Sequence, residues 1–229
     1  MEKIQARCCV VGGGPAGMML AFLLARAGVG VVLLEKHADF LRDFRGDTVH
    51  PSTLELMHEL GLLGDFLQRP HQQLERLAVQ IGDTRVWVAD FRRLPTHAKF
   101  IVFMPQWNFL NFLAERATAY PEFQLRMQTE AVGLIEEDGA VKGVRAKTPN
   151  GELTVHCDLV VGSDGRQPSL SWRRHTHRKD YCKGHLNGKT SEAPLPKPSE
   201  VLCSIPLTEN SWSQLKSGLY LSSLAQRLA

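Results

Sequence analysis

The chain lacks an uninterrupted apolar run of about 18 residues, so no segment reads as a membrane-spanning helix. Its opening, "MEKIQARCCVV", also lacks the charged-then-apolar order of a secretion signal, because the apolar run goes straight into glycines. Cysteine is sparse: the five are Cys8, Cys9, Cys157, Cys182 and Cys203, and no pair has CxxC spacing. Cys8, Cys9 and Cys157 sit in apolar strand-like runs, where a reduced buried thiol is expected. A reducing compartment, the cytoplasm, is the matching expectation. His175, His177, Cys182 and His185 form a loose group that fits no standard zinc spacing, so no metal ligand is expected. No Ser-His-Asp set, carboxylate pair or internal repeat is visible either.

Two scarcities divide the chain. Serine occurs twice before Arg166, at Ser52 and Ser163, and ten times after it; valine occurs sixteen times before and once after, at Val201. Charge breaks at the same place. Residues 1–165 hold 17 Lys and Arg against 20 Asp and Glu, whereas residues 166–229 hold 10 against 4. The expected organisation is a folded domain over 1–165 and an atypical basic, Ser- and Pro-rich tail over 166–229 that reads as disordered.

What is abundant lies at the start. "IQARCCVV" (4–11) reads as a buried strand, residues 15–27 as a helix closed by Gly28, and "VGVVLLE" (29–35) as a second buried strand. That is a βαβ unit. Between its first two elements stand Gly12-Gly13-Gly14-Pro15-Ala16-Gly17, a G-x-G-x-x-G match in the strand-to-helix context the dinucleotide fingerprint requires. Gly12 permits the tight turn, Gly14 lets a pyrophosphate approach the backbone, and Gly17 lets helix and strand pack closely. The helix N-terminus offers amides and about half a positive charge to the phosphates. Glu35 ends the second strand, where a carboxylate accepts the ribose hydroxyls of an adenosine and repels a 2′-phosphate.

Farther along, "STLE" has the capping-box form, which starts a helix at Ser52 that runs through Leu60. Residues 76–90 give a hairpin around "GDT", and 105–120 a helix with Pro105 in its first turn. "FQLRMQ" follows, then three meander strands separated by "EDGA" and "PNGE", then a further strand, "DLVVG", that runs into "SDG". The fold class is α/β: a Rossmann-like domain with a parallel sheet, an inserted antiparallel meander, and partial substrate-domain strands about 76–104.

The fingerprint alone does not separate NAD from FAD. "VVGGGPAGMMLAFLLARAGVGVVLLEK", "RGDTVHPSTLELMHELGLL", "MPQWNFLNFLAERA" and "CDLVVGSDGR" together resemble the class A flavin-dependent aromatic hydroxylases, over roughly residues 6–166. The resemblance implies that FAD is held by Gly12, Gly14, Pro15, Ala16, Gly17, Glu35 and Lys36. It implies further that Arg45 lies near the pyrophosphate and the nicotinamide nucleotide, and that Gln106 contacts the ribityl region. Asp164 and Gly165 then serve FAD and the reduced nicotinamide cofactor, and Asp158 is a structural hydrogen-bond partner in the same motif. His50, before Pro51, reads as a surface or loop-packing histidine, with a place facing the flavin as the alternative. The implied reaction uses NADH or NADPH, O2 and a small aromatic substrate. The cofactor carries the chemistry, so no catalytic side chain is expected.

The family's later Gly-Asp-Ala motif is missing from this sequence. That absence, with the composition break at 166, leads to the expectation of a truncated or frameshifted product with impaired activity. An NAD-dependent dehydrogenase is the alternative; it predicts another βαβ unit soon after Glu35 in place of the meander. A nucleotide- or nucleic-acid-binding module is a further alternative, but the basic tail shows no recognisable nucleic-acid fold. Oligomeric state stays open.

Overall fold

The structure is a computed structural model that describes residues 2–41 and 47–164. In chain order the elements are β1 (Glu2–Val11), α1 (Pro15–Arg26), β2 (Val31–Leu34), β3 (Thr48–Val49), α2 (Pro51–Glu59), α3 (Leu63–Phe66), β4 (Gln72–Leu74), β5 (Arg76–Ile81) and β6 (Thr84–Asp90). There follow β7 (Ile101–Phe103), α4 (Gln106–Ala117), β8 (Phe123–Arg126), β9 (Glu130–Glu137), β10 (Ala140–Thr148) and β11 (Gly151–Gly162). They divide into two units, one of Met1–Asp39 with the described residues from Ala117 onward, the other of Phe40–Arg116.

The first unit is a six-stranded sheet in the order β8-β2-β1-β11-β10-β9. Its first four strands are parallel, and β10 and β9 run antiparallel at the other side. Where β1 pairs with β2, from Cys8 to Val11 and from Val31 to Leu34, both strands are apolar throughout, as a sheet covered on both faces demands. Cys8, Cys9, Val10, Val31, Val32, Leu33 and Leu34 are all buried. α1 packs on β1 and β2 and buries Met18, Ala21, Phe22 and Leu24, each large side chain worth about 1.5–3 kcal/mol when fully withdrawn from water. Tyr120 closes the outer end of that layer with an edge-on contact to Phe22, centroids 5.9 Å apart. On one face Cys9, Val11, Val32 and Leu34 join Val144, Val155 and Val160 in one continuous core.

β11 differs from its expectation. "GELTVHC" and "DLVVG" are one strand of twelve residues. Its first half pairs antiparallel with β10, while from Leu153 to Gly162 it pairs parallel with β1. Asp158 reads as a break in the sequence, yet it lies at the surface and takes an ion pair from Arg7 of β1, Nε to Oδ2 2.6 Å. No second βαβ unit follows Glu35 among the described residues. The next parallel neighbour of β2 is β8, almost ninety residues on, so the dehydrogenase pattern is absent.

In the second unit, β3, β7 and β4 form a small antiparallel sheet and β5–β6 a separate hairpin. The hairpin leaves Val79, Ile81, Val86, Trp87 and Val88 exposed, with the guanidinium groups of Arg76 and Arg85 over the Trp87 ring at 4.2 and 4.8 Å. Helix packing centres on Phe66, edge-on to Phe109 and Phe112. Arg116 bonds Asp65 at 2.7 Å, and Arg69 pairs with Glu115. The capping box is not used. α2 starts at Pro51 with His50 at its N-cap, placing Ser52 inside the first turn and turning Glu55 toward another partner. Proline at the first helical position already supplies the helical φ and has no amide to satisfy.

That partner is His97. Its main-chain N–H donates to Glu55 Oε2 at 2.8 Å, and its Nδ1 lies 2.9 Å from Oε1, while its ring stacks on His58 at 3.5 Å. The main-chain bond first, and the imidazole second, hold the Glu55 carboxyl below its ordinary value of 4.5. A depressed carboxylate contributes stability above its unfolded value and loses it as pH falls through the folded one. Acidification below pH 4.5 is therefore expected to lower the urea midpoint of the wild type more steeply than that of Glu55→Gln. Parallel slopes in a pH series of urea melts would contradict this pairing.

Candidate functional site

β1 ends at Val11, and its pairing continues one residue farther on each side. Gly12 N donates to the Leu34 carbonyl at 2.8 Å, and Ser163 N donates to the Val11 carbonyl at 2.7 Å. The turn out of the strand then takes Gly12 to φ +108°, a conformation that L side chains rarely adopt. A Cβ at Gly12 would also lie 2.6 Å from the Ser163 carbonyl and 2.7 Å from Asp164 N. Two constraints on one residue, one conformational and one steric, explain the first glycine.

Gly17 has a different reason. It sits in the first turn of α1 directly over the turn, and a Cβ there would fall 2.0 Å from the Gly12 carbonyl oxygen and 2.4 Å from Ser163 Oγ. Gly14 differs again. It is the N-cap of α1 at φ −69°, ψ 178°, ordinary extended backbone, and a Cβ on it would meet no atom of the described residues within 4 Å. No side chain caps the helix, Pro15 follows at the first position, and no acid occupies the first turn. The helix N-terminus thus presents its amides and positive dipole end to open space above Gly14.

Glu35 lies beside this space and is 5% exposed. Its Oε2 accepts from Gly13 N at 2.8 Å and its Oε1 from His37 N at 3.0 Å. Gly13 is close against it, since a Cβ there would lie 3.0 Å from Oε2. Lys36 follows at the surface. The first unit therefore brings together Gly12, Gly14, Pro15, Ala16, Gly17, Glu35 and Asp164. Gln106 is the first residue of α4 and belongs to the second unit. Arg45 and Gly165 lie outside the described residues, as does the segment 166–229.

Sequence reasoning missed Ser163. Its hydroxyl lies 2.8 Å from the Gly12 carbonyl oxygen and 3.0 Å from that of Val11. The one available signal was its rarity: only two serines precede Arg166. The strand cysteines behave as small core residues. Cys8, Cys9 and Cys157 are free and buried, and burial, with the neighbouring Cys157 adding to it, pushes the Cys8 thiol up to about 12. Among the described residues no cluster could hold a metal ion, and no helix is long and apolar enough to cross a membrane.

A glycine-lined helix N-terminus with open approach and a buried carboxylate one strand away suits a dinucleotide diphosphate and its adjoining ribose. Comparison with known proteins agrees. Residues 5–217 match the model of the FAD binding domain family. A 6-methylpretetramide 4-monooxygenase of Streptomyces rimosus is 37% identical over 162 residues, which are 71% of this chain and 39% of that protein. A rifampicin monooxygenase of Streptomyces venezuelae is 35% identical over 70% of this chain and 32% of its own length. Among solved structures, a p-nitrophenol 4-monooxygenase from Pseudomonas putida superposes with a TM-score of 0.63 at 27% identity, covering 72% of this chain and 42% of that one. The chain thus spans between about a third and two fifths of the length of these relatives.

Proposed function

This chain belongs to the FAD binding domain family, and from that membership we propose that it is the ADP-binding portion of an FAD-dependent monooxygenase acting on aromatic compounds. The observation that carries the reading is the contrast among the fingerprint glycines. Two are demanded by packing, at Gly12 and Gly17, while Gly14 faces open space at a helix N-terminus. A purely structural turn has no need of a third glycine there; a turn that admits a diphosphate does.

The residues fit the ADP half of FAD. Main-chain amides at the start of α1 would bind the diphosphate, and Glu35 would accept the ribose hydroxyls. Ser163 and Asp164, packed behind Gly12, would close the back of the turn. The roles of Arg45, Gln106 and Gly165 rest on the family resemblance. When bound, FAD supplies the redox and oxygen chemistry; the chain's own residues bind, orient and exclude water. NADH or NADPH as reductant, O2 as co-substrate, an aromatic acceptor and a cytoplasmic setting belong to the same proposal. The relatives are named for 6-methylpretetramide, rifampicin and p-nitrophenol, and the last, a phenol, supports that class of acceptor.

The test is reconstitution. The purified chain, mixed with FAD and passed through gel filtration, is expected to carry flavin absorbance in its protein peak. A colourless peak at saturating FAD would refute the proposal.

A further inference from the structure

Ser163 stands where two strands and one turn converge. Its main-chain N–H already donates to the Val11 carbonyl at 2.7 Å. A hydroxyl has one proton to give. With Val11 served by the amide, and with the Gly12 carbonyl the nearer acceptor at 2.8 Å, the proton goes to Gly12. The peptide group is planar and trans, so fixing the Gly12 carbonyl also fixes the N–H on the far side of the same plane, that of Gly13. That N–H is the one that donates to Glu35 Oε2 at 2.8 Å. The Gly12–Gly13 peptide is therefore clamped between a hydroxyl and a carboxylate, each bond polarising the other. Gly17 makes the clamp possible, because a Cβ there would overlap both Ser163 Oγ and the Gly12 oxygen.

We propose that Ser163 is a positioning residue for ribose recognition: through the Gly12–Gly13 peptide its hydroxyl aims the Glu35 carboxylate at the sugar of the bound nucleotide. The inference rests on the dinucleotide reading given above. It assigns the serine no contact with the ligand. It also gives Gly17 a second purpose beyond helix packing, that of leaving room for the hydroxyl.

A residue that only stabilises the turn would, on removal, weaken every adenine nucleotide alike. A residue that aims Glu35 would weaken selectively those that carry the hydroxyl Glu35 holds. Titration calorimetry with ADP and 2′-deoxy-ADP on the full chain separates the two. The wild type is expected to prefer ADP by about tenfold, the range of a hydrogen bond to a charged acceptor. Ser163→Ala is expected to lower ADP affinity about fivefold and to shrink the preference to about twofold. Ser163→Cys, which keeps a weak donor, should fall between them. Ser163→Ala leaves the main-chain bond to Val11 in place, and circular dichroism melting of both ligand-free variants verifies that they fold. If both variants keep the wild-type preference, whether affinity is unchanged or uniformly reduced, the positioning role is overturned and the dinucleotide site stands. If the folded wild type takes up neither nucleotide, the dinucleotide reading and this inference fall together.

Discussion

Gly14→Val is expected to leave the fold intact and abolish useful nucleotide binding. The backbone at Gly14 is extended, φ −69° and ψ 178°, which valine adopts without strain, and its Cβ would meet nothing among the described residues within 4 Å. An apolar residue at a helix N-cap costs only about 0.5–1 kcal/mol, so the melting temperature should move by a few degrees at most. Binding is another matter. The valine methyls would occupy the open volume above the helix N-terminus, holding a diphosphate away from the amides that would receive it. Losing that approach should weaken ADP and FAD by about 100-fold, near 2.7 kcal/mol. Titration calorimetry with ADP, beside a thermal melt of the same sample, checks both halves. Equal affinity for the two proteins would mean that the turn does not face a ligand.

Gly17→Val should do the reverse and break the fold. Its Cβ would lie 2.0 Å from one backbone oxygen and 2.4 Å from Ser163 Oγ, so the clash cannot be relieved by rotating a side chain. α1 would have to lift away from β1, uncovering Met18 and Phe22. The expected loss is about 3–5 kcal/mol, a large share of the roughly 5–15 kcal/mol typical of a domain. Gly17→Ala supplies the sharper sign test. Within a helix, alanine is favoured over glycine by up to about 1 kcal/mol, less in the first turn, so propensity alone raises the urea midpoint. The close approach demands that it fall. An alanine variant as stable as the wild type, or more so, would show that the Gly12–Gly17–Ser163 packing is wrong.

The βαβ start was legible because it depends on local signals: continuous apolar strands, a glycine turn, and a glycine after the helix. β1, α1 and β2 lie within one or two residues of expectation at most of their ends. The unity of β11 was hidden, because polar residues at its middle read as a boundary; only the partner strand, with Arg7 opposite Asp158, makes them a surface ion pair. The short strands β3, β4 and β7 carry two or three residues each, too few for any period to register. The capping box at Ser52 failed because Pro51 starts the helix earlier. At the site, Glu35 and the glycines could be read from spacing, which sequence preserves. Ser163 could not, since its importance comes from a contact 151 residues away in the chain.

That separation bears on how the protein is made. On the ribosome, the first forty residues can form β1, α1 and β2, but the carbonyls of Val11 and Gly12 have no amide or hydroxyl from Ser163 until the last described strand has been translated. At about 5–20 residues per second, that leaves the nascent turn without its back wall for about eight to thirty seconds. The glycine cradle is laid down first and locked last, so its final shape comes only with β11.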